Sequence, residues 1–140
     1  TRVVSMDENG SHFEFLGYRF VRDKNRDYRF PRPKSKKKLR DALRPLIRRS
    51  NGNSLERIIA HINPMLRGWY EYFMHAHRTV FPEIDGWVRM RLRSILRKRH
   101  RGKGRGRGRD HQRWPNAYFA GHGLFCLTTA HALAVQSPTG

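Results

Sequence analysis

The first part of the chain has the two-residue hydrophobic period of a β-strand. Residues 2–6 and 12–21 alternate apolar and polar positions and are rich in Val, Phe and Tyr. Asn9-Gly10 lies between them, and this dipeptide is a strong hairpin signal because it tolerates positive φ. A second turn over 23–27 and a short third strand over 28–30 complete the pattern. It predicts an N-terminal β-hairpin.

The period changes to that of a helix beyond the prolines at 31 and 33. Ser35 is a suitable N-cap for a helix that runs to about Arg49. Its apolar positions recur every three or four residues: Leu39, Ala42, Leu43, Leu46 and Ile47. Pro45 falls inside this stripe and lacks a backbone donor, so we expect a kink or break there.

Another apolar stripe begins after Ser54, a good N-cap residue. The residues predicted to form the structural core lie on or beside this stripe: Ile59, Ile62, Leu66, Gly68, Trp69 and Phe73. Asn63-Pro64 interrupts it, which is compatible with two helices, 55–62 and 64–77, or with one kinked helix. A third helix is predicted from about Phe81 to His100.

The last part of the chain begins with Arg-Gly repeats over residues 101–110. Glycine has a high backbone entropy, so these repeats predict a flexible basic linker, which either contacts RNA or acts as a spacer. Helical signals return from residue 111, and Thr128 is a candidate cap for a last helix over 129–136. The fold predicted is mainly α: a bundle of three or four helices, an N-terminal β-hairpin and a small C-terminal helical unit.

Charge identifies the class of partner. The chain has 140 residues, 30 Lys or Arg against 11 acids, and a formal net charge of +19. This excess predicts attraction to a polyanion, and nucleic acid is the default. A basic helix lying on a membrane surface fits less well, because no helix joins a clean apolar face to a short basic one. The single Cys126 suits a reducing cytosol.

The basic residues are concentrated in two helical stretches. Residues 34–50 carry 8 basic groups and one acid, whereas a merely solvated helix face normally mixes signs. Four-residue spacing predicts one stripe per helix that tracks phosphates. The candidate RNA-binding residues are Lys36, Lys37, Arg40, Arg44, Arg48, Arg89, Arg93, Arg97 and Lys98.

Two further groups of residues have a structural and a functional interpretation. Trp69 and Phe73 could stack on bases, but their helical spacing favours the core, with Tyr70 or Tyr72 pointing outward. Gly68 would permit a neighbouring helix to approach closely. The histidines and cysteine of residues 111–131 match no compact zinc motif, so no metal site is predicted. No catalytic constellation is found in the sequence.

The order of these features resembles the last part of a group II intron reverse transcriptase/maturase. The most specific run is Ile62-Asn63-Pro64-Met65-Leu66-Arg67-Gly68-Trp69-Tyr70-Glu71-Tyr72-Phe73, downstream of Phe15-Leu16-Gly17-Tyr18. The resemblance assigns residues 1–33 to the end of the polymerase palm, 34–100 to the thumb or maturase domain X, 101–110 to a linker and 111–140 to a C-terminal extension.

The resemblance implies binding of structured group II intron RNA to assist splicing, and clamping of a template–primer duplex as a thumb. It implies a primer-grip role for Leu16, Gly17 and Tyr18. The expected partners are the intron RNA, the template–primer and an upstream finger and palm domain, in the bacterial cytoplasm. No Tyr-x-Asp-Asp carboxylate pair is present in the sequence. We therefore expect a non-enzymatic fragment without a cofactor, from a parent RNA-directed DNA polymerase that uses Mg²⁺. The competing interpretation is a general basic RNA- or DNA-binding module, such as a ribosome-associated protein.

Overall fold

The computed structural model describes residues 12–15, 17–100 and 108–136. The predicted fold class, a mainly α protein with an N-terminal hairpin and a small C-terminal helical unit, is confirmed. The elements in chain order are β1 (His12–Phe15), β2 (Tyr18–Asp23), β3 (Arg26–Pro31), α1 (Pro33–Leu43), α2 (Leu55–Phe73), α3 (Val80–Arg99), α4 (Gly108–Arg113), α5 (Asn116–Gly121) and α6 (Leu127–Gln136).

The strands form an antiparallel sheet in the order β1-β2-β3. Lys24 and Asn25 join β2 to β3 with φ of 52° and 65°, which a two-residue hairpin turn with the twist of the strands requires. The single strand predicted over 12–21 is wrong in extent, because the turn at Gly17 divides it into β1 and β2. The strand and turn predicted over 2–10 lie outside the described residues.

Gly17 and Tyr18 face the helices. Gly17 has a φ of +85°, and a Cβ there would lie 3.4 Å from Cζ of Phe73. Tyr18 is buried, and its hydroxyl donates to the carbonyl of Tyr72 at 3.2 Å. Burial raises the pKa of this hydroxyl. The close approach at Gly17 is therefore to the end of α2, and Leu16 lies outside the described residues.

The first helix is shorter than its sequence pattern suggests. Ser35 is not its N-cap: Arg32 occupies that position and Pro33 follows within the first turn, where the missing N–H costs no helical hydrogen bond. The break expected at Pro45 is confirmed, because α1 ends at Leu43 and a single 3-10 turn, Arg44–Leu46, follows.

The second helix is continuous, which decides between the two arrangements compatible with the sequence. Ser54 caps it as predicted, with Oγ accepting from the N–H of Arg57 at 3.2 Å. Pro64 lies inside the helix, which ends at Phe73 rather than at residue 77. The following segment pairs with the sheet instead, since the N–H of His77 donates to the carbonyl of Arg29 at 2.7 Å.

One hydrophobic core joins the bundle to the C-terminal helices. Ile58, Ile62 and Leu92 are almost completely buried within the bundle, and so are Phe119 of α5 and Leu127 of α6. The predicted linker extends too far, because Gly108 to Asp110 form the first turn of α4. Residues 101–107 lie outside the described part of the chain.

The aromatic run of α2 differs from the prediction at Trp69, whereas the outward position predicted for Tyr70 or Tyr72 is taken by Tyr72. Trp69 is only half-buried and packs at the edge of the core, with its ring 4.6 Å from that of Phe73. Tyr70 is buried, and burial raises the pKa of its hydroxyl, whereas Tyr72 points outward. The close helix approach expected at Gly68 is wrong, because a Cβ there would have no neighbour within 4 Å.

Gly68→Ala should therefore stabilise the protein. Alanine loses less backbone entropy than glycine when it enters a helix, and the added methyl group meets no atom. We expect the free energy of unfolding to rise by about 0.5–1 kcal/mol, measured by urea denaturation. Gly17→Ala is the matched control. Its positive φ and its contact with Phe73 should make the same substitution destabilising. A loss of stability in Gly68→Ala would contradict the open environment described for this position.

Candidate nucleic-acid interface

The outer surface of α1 and the turn after it carries a dense positive charge. We call it the α1 surface, and its residues are Lys34, Lys37, Lys38, Arg40, Arg44, Arg48 and Arg49. All are exposed except Arg40, which is half-buried. Asp41 is the one acid of this stretch. It is already paired with Lys37 at 2.7 Å, and the Lys37 hydrogen bond lowers the pKa of its carboxyl. The surface therefore keeps a large excess of cations.

A shallow groove separates α1 from α3. Lys36 of α1 reaches Glu83 of α3 at 3.5 Å and is mostly covered, so it connects the two helices. Beyond this pair two guanidinium groups lie near the ring of Trp87, with Cζ of Arg44 and of Arg91 each 5.9 Å from the ring centroid. A cavity of about 290 Å³ opens beside Trp87, and Arg40 lines it.

Arg91 is the basic residue of α3 that faces this groove, and the four-residue stripes did not include it. Its guanidinium is half-buried, and burial, followed by the nearby Arg44, lowers the pKa of Arg91. Two positive charges, those of Arg44 and Arg91, thus lie close together at the groove and repel each other. The spacing of Trp87 and Arg91, four residues apart on one helix, is the sequence signal that identifies this pair.

The predicted stripe of Arg89, Arg93 and Arg97 lies on another face of α3, against the C-terminal helices. Arg93 is only 3% exposed, so its expected place on an open RNA-binding face is wrong. Its Nε donates to the carbonyl of Trp114 at 2.8 Å and a terminal nitrogen donates to Oδ1 of Asn116 at 2.9 Å.

The charges around Arg93 are consistent with its being a buried residue that holds the C-terminal helices against α3. Burial lowers the pKa of Arg93, the nearby Arg89 lowers it further, and Asp110 opposes the shift. Arg97 forms an ion pair with the buried Asp110 at 3.0 Å, and Arg89 is half-buried beside a cleft. Lys98 is exposed. The two predicted stripes therefore do not line a common groove.

A buried carboxylate of α3 fixes the start of α6. Asp85 accepts hydrogen bonds from the N–H groups of Leu127 and Thr128 at 2.9 and 2.8 Å, and from the hydroxyl of Thr128 at 2.5 Å. A negative charge at a helix N-terminus is stabilised by the helix dipole and by the N–H groups that lack an intrahelical partner. The cap predicted at Thr128 is wrong, because the helix begins at Leu127 and a distant residue caps it.

Asn63 has a similar role on the other side of the C-terminal unit. Its side-chain amide donates to the carbonyl of Gly123 and accepts from the N–H of Phe125, both at 2.8 Å. The guanidinium of Arg67 lies 5.1 Å from the Phe125 ring. Asn63 is therefore not a helix cap within α2. It holds the turn between α5 and α6 against the bundle.

Arg99 stabilises the loop that precedes α2. A terminal nitrogen of Arg99 donates to the carbonyl of Asn51 at 2.8 Å and also to the carbonyl of Asn53. This contact fixes the loop that follows Arg48 and Arg49, and so helps to position the end of the α1 surface. Nothing in the local sequence around Arg99 signals this role, because its partners lie 46 and 48 residues away.

The histidines and cysteine near the C-terminus have separate partners. His122 faces Glu56 at 3.2 Å, the thiol of Cys126 lies 3.3 Å from Asp85, and His131 packs on Phe81. No cluster of three or more residues suited to a metal ion occurs in the part of the chain that the structure describes. Over the same residues, no helix is both long and apolar enough to cross a membrane.

Residues 36–114 match the family model described as the group II intron, maturase-specific domain. This range covers most of α1 and all of α2, α3 and α4, and it ends at Trp114, the residue whose carbonyl accepts from Arg93. No curated protein matches the chain.

Arg93→Met should unfold the protein more readily than a surface substitution. The change removes two buried hydrogen bonds and leaves the Trp114 carbonyl and the Asn116 side chain without their partner. We expect the free energy of unfolding to fall by about 2–3 kcal/mol, measured by urea denaturation. Arg48→Met, on the exposed α1 surface, is the control and should change it by less than about 0.5 kcal/mol. Equal losses in the two variants would show that Arg93 is not a buried structural residue.

Proposed function

The chain belongs to the family of group II intron maturase-specific domains, whose role is in intron splicing, and we propose that it acts by binding the structured intron RNA. The α1 surface and the adjoining Trp87 groove are the proposed contact. The matched domain is the maturase-specific one and not a catalytic one, so the proposal assigns no reaction to this chain.

The observation that carries the proposal is the excess of cations on the α1 surface. Seven basic side chains lie there, and their one local acid is already paired with Lys37. Arginine forks bind phosphate oxygens in a bidentate manner, and neutralised phosphates release counterions into solution. Folded RNA presents closely spaced phosphates, so this surface favours a structured strand.

The Trp87 groove adds a contact of a different kind. Its indole ring is already flanked by Arg44 and Arg91, which favour a polyanion. Aromatic rings and guanidinium planes both stack on unpaired bases. We therefore assign phosphate contacts to the α1 surface and base stacking to Trp87.

The sheet supports a second part of the proposal, the clamping of a template–primer duplex. Gly17 and Tyr18 pack against α2 rather than outward, so they fix the sheet to the bundle. In this arrangement the exposed side chains of β2 and β3, such as Arg19, Arg26 and Arg29, are the ones available to a duplex. Gly17 and Tyr18 are proposed to position this sheet and not to touch bases.

A competition experiment tests the proposed specificity. Labelled group II intron RNA is bound to the protein, and unlabelled intron RNA or an unrelated structured RNA of equal length is added as competitor. If the chain acts as a maturase domain, a much lower concentration of unlabelled intron RNA than of unrelated RNA should displace the labelled RNA from the protein. Displacement by both at the same concentration would instead identify a general basic module, such as a ribosome-associated protein.

Combined replacement of Arg40, Arg44 and Arg48 by Gln should weaken intron RNA binding about tenfold or more at moderate salt. It should also make the dependence of log affinity on log salt concentration shallower by about two to three units, because each lost phosphate contact removes about 0.7–0.9. Binding is measured by filter retention over a salt series.

The control for this triple variant removes the same charge elsewhere. Arg57, Arg78 and Arg109 are exposed and lie outside both the α1 surface and the sheet. Their combined replacement by Gln should leave the affinity for intron RNA closer to that of the parent. If both triple variants lose affinity equally, net charge rather than the α1 surface determines binding.

A further inference from the structure

A cleft of about 410 Å³ lies between α3 and the C-terminal helices α5 and α6. Its volume falls in the range of pockets that hold small molecules or single bases. Arg89 of α3 lines it together with Asn116, Ala117 and Ala120 of α5. The last three residues are exposed, so the cleft is open to solvent on the side of α5.

Two polar side chains of the cleft, Arg89 and Asn116, can donate hydrogen bonds to a ligand. Nε of Arg89 is buried and has no hydrogen-bond partner within the described residues. Asn116 uses Oδ1 to accept from Arg93, which leaves its NH₂ group as a donor. A buried donor without a partner is costly, so a ligand that brings acceptors to Arg89 is favoured.

The charged residues around the cleft also favour a ligand that carries acceptor atoms. Arg89 is close enough to the buried Arg93 to lower the pKa of Arg93. The nearby acids Asp85 and Asp110 are already engaged, by the start of α6 and by Arg97 respectively. Acceptor atoms placed beside Arg89 therefore meet its guanidinium, with the positive charge of the buried Arg93 behind it, and no free carboxylate among these neighbours.

The apolar lining of the cleft favours a nucleic-acid base over a phosphate group. Ala117, Ala120, Leu124 and Pro82 give most of the lining an apolar character, which suits the flat face of an aromatic ring. A phosphate would have to lose its water to such walls with few donors to replace it. A guanine offers apolar faces and two adjacent acceptors, O6 and N7, which match an arginine fork.

We propose that this cleft binds one unpaired guanine of the RNA, with the edge that carries O6 and N7 directed at Arg89. The proposal rests on the proposed RNA binding and adds a base-specific subsite to it. The α1 surface contacts phosphates, and the cleft selects a single base that has left its helix. The C-terminal unit forms two of the walls and so takes part in recognition.

The test uses short strands of abasic ribose-phosphate, one with a single guanine at its centre and one without any base. Fluorescence anisotropy measures their affinity for the full chain. The parent protein should bind the guanine strand about tenfold more tightly than the bare strand, the size expected for one base contact. A strand with a central adenine should show a smaller preference, because N6 is a donor.

Two variants locate the preference in the cleft. Arg89→Gln removes the fork, and Ala120→Leu fills the space without changing charge, so each should abolish the preference for guanine. Arg91→Gln is the matched control, since it removes the same charge two residues away on the Trp87 side of α3. It should weaken both strands alike and preserve their ratio. Thermal melting checks that each variant is folded.

The outcomes separate the subsite from the general function. Equal binding of the two strands by the parent protein, or a preference that survives Ala120→Leu, overturns the guanine subsite alone. An equal loss for both strands in Arg89→Gln shows that Arg89 contacts phosphate, and also overturns it. Failure of the parent protein to bind either strand at low salt overturns the guanine subsite, whereas failure to bind the intron RNA itself would overturn the proposed RNA binding.

Discussion

The structure depends on how a chain with 30 basic residues and 11 acids satisfies its guanidinium groups inside a fold. There are too few carboxylates to pair with every arginine that packs between elements. Arg93, Arg91 and Arg99 instead donate to main-chain carbonyls of Trp114, Ile47 and Asn51. A carbonyl accepts a charge-assisted hydrogen bond without adding a residue of opposite charge. The fold therefore stabilises its interior contacts while its surface keeps the positive charge that a polyanion requires.

Helix α3 separates two chemically different sides of the molecule. Its apolar residues, among them Leu92 and Ile95, fill the core. On one flank Trp87 and Arg91 face α1, and on the other Arg93 is covered by the C-terminal helices. Two arginines only two residues apart thus have different surroundings, since Arg91 is half-buried beside α1 and Arg93 is buried under the C-terminal helices. The reason is that 100° of rotation per residue places them on different flanks of one helix.

The sequence predicted the features that depend on neighbouring residues. The Ser54 cap, the break at Pro45 and the apolar stripe of α2 are set by local hydrogen bonds and by helical period. It could not predict the burial of Arg93 or the role of Asp85, because their partners lie 21 and more than 40 residues away. Arg93 and Arg48 look alike in a charge pattern, and only the position of the C-terminal helices distinguishes them. Most candidates on α1 stay exposed, because no later segment among the described residues covers the outer surface of this helix, and their contact with RNA stays a prediction.

The uncharged C-terminal segment explains why the predicted arginine stripe of α3 is partly buried instead of wholly exposed. Residues 114–140 contain no Asp, Glu, Lys or Arg, so they can cover basic residues only by offering carbonyls, amides and rings. Arg93 receives all three, from Trp114, Asn116 and Phe119. Because this cover is not acidic, it buries the α3 arginines without cancelling their charge. A neutral cover over a basic helix leaves a positive potential at its edges, and that potential favours an anionic partner there.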